Sequence, residues 1–187
     1  MKNDDEPQEI EIATLGGGCF WCTEAVFQEL EGVEHVESGY TGGDNPNPTY
    51  QEICTGNTGH AEAVQVHFDA SVISYRDILE VFFLTHDPTT LDQQGGDIGT
   101  QYRSAIFYQS PQQREVAEEL IAKFEGNAVF DAPIVTEVVE LDEFYVAESY
   151  HQDYYRQNGN QGYCRVIIDP KMAKFRAAFV DRLKKDD

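Results

Sequence analysis

The residues best suited to chemistry are Cys19 and Cys22, in the run GGGCFWC. A cysteine acts as a nucleophile only as its thiolate, and its pKa falls at a helix N-terminus, where unpaired backbone N–H groups present partial positive charge. Cys19 follows three glycines that allow a sharp turn, and Phe20 and Trp21 beside it offer an aromatic surface suited to a thioether or sulfoxide methyl group. A buried structural cysteine at a helix start reads the same way in isolation. Cys22 lies one helical turn further on, so the two sulfurs can meet after a small adjustment. C-x-x-C is either a redox pair or half of a zinc site. Zinc needs two more ligands, and the candidates Cys54 and His60 share one loop at an unusual spacing. A protease-like pairing of Cys with His60 or His151 needs a base and an orienting partner. His60 reads instead as a hydrogen-bonding anchor of its loop, and Cys54 as a small buried residue.

The elements that must position these residues follow from periodicity. EIEIATLGGG reads as a strand entering a glycine turn, and Phe20, Ala25, Val26, Phe27 and Leu30 as a helix face closed by Gly32. VEHVESGYTG is a second strand, followed by a long loop, TGGDNPNPTYQEICTGNTGH, whose Gly, Pro and Asn content and length mark it as functional. Further along, AEAVQVHFD, YRSAIFY, IVTEVVEL and YCRVIID read as strands. ISYRDILEVFFLTH, SPQQREVAEELIAKFEG and PKMAKFRAAFVDRL read as helices, AESYHQDYYRQN as a helix or turn, and DPTTLDQQGGDIGTQ as a second loop. Strands and helices interleave throughout, which predicts one two-layer α/β or α+β domain over residues 10–187 behind a polar tail at 1–9.

The chain of 187 residues is 41% hydrophobic and 12% aromatic, enough for a core despite a net charge of -21. Its acidity argues against nucleic acid and anionic membranes as partners, because both require clustered Lys or Arg. The N-terminus lacks a basic then apolar leader, and no run approaches the roughly 20 apolar residues of a membrane span, so a cytoplasmic location is expected. Four unevenly spaced cysteines do not form a secreted disulfide framework.

GCFWC, GYTGGDNPNPTYQEICTGNTGHAEAV, GTQYRSAIF and HQDYYRQNGNQGYC, in that order, resemble the A-type peptide methionine sulfoxide reductases across about residues 10 to 168. The resemblance implies a two-layer α/β sandwich of ferredoxin-like type: a mixed sheet with helices on one face and long active-site loops. It implies reduction of the S epimer of methionine sulfoxide, in proteins and as the free amino acid, with thioredoxin as electron donor and no metal or other cofactor. Cys19 takes the role of the nucleophile and becomes a sulfenic acid. Glu62 of GHAEAV is the proton donor, a carboxyl kept neutral by a semi-buried apolar setting. Tyr50 and Tyr102 hydrogen-bond the sulfoxide oxygen, Phe20 and Trp21 hold the methyl group, and Asp97 orders polar groups nearby.

One family branch resolves the sulfenic acid with a cysteine on a mobile C-terminal tail, matched here by Cys164. Another uses the second cysteine of GCFWC, matched by Cys22. The sequence after Cys164 reads as ordered structure that limits its reach, whereas Cys22 needs only a first helical turn to loosen. Cys22 is the favoured resolver and Cys164 the alternative. Two rivals remain: a general disulfide oxidoreductase using Cys19 and Cys22, and a zinc-stabilised binding module.

Overall fold

The computed structural model describes residues 7–185. Of the expected polar tail at 1–9, residues 1–6 lie outside the described residues and 7–9 carry no regular element. A six-stranded sheet in the order β7-β6-β1-β3-β2-β8 forms the centre. Its strands are β1 Ile10–Gly17, β2 Val33–Thr41, β3 Ala61–Asp69, β6 Ser104–Tyr108, β7 Glu137–Glu140 and β8 Phe144–Val146. Neighbours pair antiparallel except β6 and β7. Helix α1, Phe20–Gln28, connects β1 to β2, and α3, Tyr75–Thr85, connects β3 to β6. Helices α4, Pro111–Gly126, α5, Tyr154–Asn158, and α6, Asp169–Ala178, follow later in the chain.

Alternation along β3 decides what faces what. Val64, Val66 and Phe68 join the main core with Phe20, Val26 and Phe27 of α1 and Ile78 and Phe82 of α3. Ala61 and Ala63 face the other way, into a small cluster with Ala105 and Phe107 that Leu141 and Phe144 cover. Period two therefore puts Glu62 on the helix-facing side, among apolar residues. β1 and β2 end, and β3 and β6 begin, at the same edge of the sheet, so the turn after β1 and the two long loops converge there.

Both loops contain structure that residue patterning did not predict. The first carries α2, Tyr50–Cys54, started by a capping box in which the Thr49 hydroxyl accepts from the Glu52 N–H and the Glu52 carboxylate accepts from the Thr49 N–H. The second folds a two-residue hairpin, β4 Gln93–Gln94 against β5 Asp97–Ile98. This hairpin lays Gln94 on the glycine turn: Gly18 has φ +90, and a Cβ there would come within 2.6 Å of Gln94 Cγ. β8 was not expected either.

The expected strand YCRVIID is helical instead, with one π-helical segment at Cys164–Ile168 running directly into α6. The buried residues Cys164, Ile168, Met172 and Phe175 recur every three or four positions, while Val166 and Ile167 are exposed. That is the spacing of a helix face. The β-branched run misled because its hydrophobicity points to solvent.

Gly39 of β2 is a point of close approach. A Cβ there would lie 2.4 Å from Phe144 Cζ and 2.5 Å from the Tyr145 carbonyl oxygen. Gly39→Ala is expected to push β8 off β2 and cost about 1–3 kcal/mol, read as a lower urea midpoint; an unchanged midpoint would contradict this packing.

Candidate active site

Cys19 is the N-cap of α1, with its carbonyl accepting from the N–H of Cys22 at 3.1 Å and of Thr23 at 3.4 Å. The first helical N–H, that of Phe20, donates to Glu62 Oε1 at 3.1 Å, so the start of α1 and the start of β3 are tied by an otherwise unpaired helix donor. Glu62 is 2% exposed. Burial, reinforced by the charges of Asp97 and Cys22 and opposed by the Phe20 N–H, lifts its carboxyl to about 8. It is a neutral acid at pH 7.

The phenols of Tyr50 and Tyr102 both feel the charge of Glu62, and both are held above the ordinary tyrosine range, by burial first. α2 sets Tyr50, whose N–H donates to Glu148 Oε2 at 3.0 Å while the Tyr40 hydroxyl donates to Glu148 Oε1 at 3.0 Å. Tyr102 ends a short 3-10 turn, Thr100–Tyr102, immediately before β6. His60 anchors its loop, accepting from the Gly43 N–H at 3.0 Å and meeting the Asn45 carbonyl at 2.6 Å, as expected.

An aromatic wall surrounds Trp21. Its indole stacks on Tyr154 with centroids 3.7 Å apart and planes at 7°, and meets Tyr163 edge-on at 5.8 Å. Its N–H donates to His151 Nδ1 at 3.0 Å. His151 is fully buried and packs against Phe20 at 5.0 Å and Tyr50 at 4.4 Å. Behind this wall Glu24, buried in α1, accepts from the Ser38 hydroxyl and the Tyr154 N–H, and burial lifts it to about 7.

The expectation that the helix N-terminus lowers the Cys19 pKa is corrected here. Burial, the hydrogen bond to Cys22 and the charge of Glu62 raise the Cys19 thiol well above its ordinary value, and the Trp21 N–H offsets only part of this. Its partner goes the other way: the hydrogen bond from Cys19, the charge of Lys171 and Tyr163 together outweigh burial and bring Cys22 down to about 7. The two thiols are thus pushed in opposite directions, Cys19 up and Cys22 down. Cys19 is 8% exposed, Cys22 4% and Cys164 0%. Cys54 is exposed rather than buried, because it ends a five-residue helix whose buried residue is Ile53. It lies against the Tyr50 phenol. Among the described residues no three His, Cys, Asp or Glu side chains converge in a way that could hold a metal ion.

The structure therefore gathers Cys19, Cys22, Phe20, Trp21, Tyr50, Glu62, Asp97 and Tyr102 at one end of the sheet. A family profile described as "Peptide methionine sulfoxide reductase" matches residues 11–183. The chain belongs to the A-type peptide methionine sulfoxide reductases. The MsrA of Ralstonia nicotianae is 57% identical over 183 residues, 96% of each chain. That of Natronomonas pharaonis is 53% identical over 171 residues, 91% of this chain and 96% of the relative. Among solved structures, Mxr1 from Saccharomyces cerevisiae in reduced form superposes with a TM-score of 0.77 at 33% identity, covering 85% of this chain and 91% of that one. The methionine sulfoxide reductase A of Corynebacterium diphtheriae gives 0.74 at 37%, covering 87% and 80%.

Sequence reading assigned no part to Glu148, His151, Tyr154 or Tyr163 in this reductase. All but Glu148 lie in the quoted HQDYYRQNGNQGYC motif, and the Thr49–Glu52 spacing was the available signal for α2.

Glu62 and Glu24 have folded-state pKa values above the unfolded one, so the native state binds extra protons between about 4.5 and 8. Stability therefore falls as pH rises through that window, by up to about 1.4 kcal/mol per pH unit for each group. Glu62→Gln is expected to unfold at a higher temperature than the parent at pH 8 to 9 while losing about 100-fold or more in turnover. Melting temperatures of parent and variant that run parallel between pH 4.5 and 8 would refute the neutral-acid assignment.

Proposed function

We propose that the chain reduces the S epimer of methionine sulfoxide, in proteins and as the free amino acid, with Cys19 as nucleophile, Glu62 as acid and Cys22 as resolving thiol. The observation that carries this reading is the neutral Glu62 carboxyl tied to the first N–H of the helix that Cys19 caps. Phe20 and Trp21 hold the substrate methyl, and Tyr50, Tyr102 and Glu62 direct donors at the oxygen.

The protons balance without an external acid. Cys19 passes its proton to the Cys22 thiolate and attacks the sulfoxide sulfur, while Glu62 protonates the oxygen. The hydroxyl then moves from the substrate sulfur to Cys19 as the substrate S–O bond and the new Cys19–substrate S–S bond break, so the substrate leaves as a thioether and Cys19 is left as a sulfenic acid. Cys22 then displaces that oxygen as water, forming the Cys19–Cys22 disulfide. Two electrons have moved from the two thiols to the sulfoxide.

Cys22 is favoured over Cys164 because it stands one helical turn from Cys19 at the start of α1, whereas Cys164 is fully buried in a helical segment that continues into α6. Thioredoxin is the proposed reductant. Mxr1, a similar protein, has been solved in complex with Trx2. A cytoplasmic setting suits four free cysteines, and no helix among the described residues is long and apolar enough to cross a membrane. Residues 10–187 act as one catalytic unit. The order β6-β1-β3-β2, with α1 and α3 as crossovers, supports the ferredoxin-like description of its core.

Each epimer is supplied separately with dithiothreitol to the parent and to Cys19→Ser. The S epimer alone is turned over, and the variant is inactive; activity in the variant or a preference for the R epimer would overturn the reading. Cys22→Ser is expected to stop after one equivalent of methionine when thioredoxin is the only reductant. A Cys19–Cys164 bridge on peptide mapping of the parent would transfer the resolving role.

A further inference from the structure

Tyr163 immediately precedes Cys164, and its side chain reaches two partners far from it in sequence. Its hydroxyl donates to Asp97 Oδ2 at 2.7 Å, and its oxygen lies 3.8 Å from Cys22 Sγ. A phenol has one proton. With that proton committed to Asp97, the Cys22 thiol can approach Tyr163 only as a donor. Cys22, Tyr163 and Asp97 thus form a directed chain from sulfur to carboxylate. The edge-on contact with Trp21 fixes the ring but does not need the hydroxyl.

We propose that Tyr163 is a catalytic residue of the disulfide-forming step, taking the Cys22 proton on its oxygen while handing its own to Asp97. This rests on the reading that Cys22 resolves. After sulfoxide reduction Cys22 carries the proton received from Cys19, and a thiol is a poor nucleophile until it loses that proton. As the Cys22 sulfur attacks, the new S–S bond forms and the Cys19 S–O bond breaks. The proton moves to Tyr163 and the phenolic proton to Asp97. The oxygen departs as hydroxide and recovers that proton as water, restoring the Asp97 carboxylate.

Other groups around Cys22 fit the role less well. Lys171 acts on it as a positive charge and cannot accept a proton, Cys19 is the electrophile at this stage, and Cys164 is a buried thiol. Glu62, whose carboxyl also senses Cys22, is held by the Phe20 N–H.

The test uses the intact protein in single turnovers without reductant. Tyr163→Phe keeps the ring against Trp21 and removes the oxygen; Asp97→Asn keeps the shape and removes the proton acceptor. In both, disulfide formation is expected to slow about 10-fold or more relative to methionine release. The sulfenic acid should become trappable by a 1,3-dione and visible by mass spectrometry. In Tyr163→Phe the pH at which disulfide formation is half-maximal should rise from near the Cys22 value, a change that loss of packing alone does not produce. A Cys19–Cys22 disulfide forming in Tyr163→Phe at the parent rate and with the parent pH profile overturns the role of Tyr163 and leaves the resolving thiol unchanged. If mapping of the parent gives Cys19–Cys164, the resolver assignment and this inference fall together.

Discussion

Glu62 is buried against the first turn of α1, and the rest of the site is arranged around that one carboxyl. A charged carboxylate in this position would need strong compensation, and the single N–H of Phe20 does not supply it, so the group stays protonated. Its neutrality makes it a proton donor at physiological pH. It also fixes the distance between two elements, because the bond that restrains the acid is the first unpaired donor of the helix capped by Cys19. Acid and nucleophile cannot move independently.

The same burial that keeps Glu62 neutral works against ionisation of Cys19. The helix N-terminus is present, but desolvation and the nearby acid outweigh it, while the neighbouring Cys22 thiol is pushed the opposite way. In the proposed sequence the thiol that receives the Cys19 proton also forms the disulfide, so that two cysteines on one helical turn would serve both half-reactions.

The aromatic wall is a tertiary construction. Trp21 comes from α1, His151 and Tyr154 from the segment after β8, and Tyr163 from the turn before Cys164; Tyr50 from α2 reaches it through His151. Glu148 and Glu24 hold these pieces through Tyr50, Tyr40, Ser38 and the backbone of Tyr154. A buried acid therefore stands at the reacting centre, Glu62, and another in the scaffold behind it, Glu24.

Local sequence determined a good deal. The glycine turn followed by a change from period two to period 3.6 located Cys19 at a strand-to-helix junction, and alternation marked AEAVQVHFD as the strand that begins beside Glu62. The separated motifs carried the family. Patterning failed where hydrophobicity faces solvent, as at Val166 and Ile167, and where a five-residue helix or a two-residue hairpin is too short to show a period. Only the tertiary structure decided the opposed shifts of the two thiols, the exposure of Cys54 and the chain from Cys22 through Tyr163 to Asp97. Desolvation and hydrogen bonding depend on which distant segments meet, and no local spacing encodes that: Asp97 and Tyr163 are 66 residues apart, and Trp21 and His151 are 130 apart.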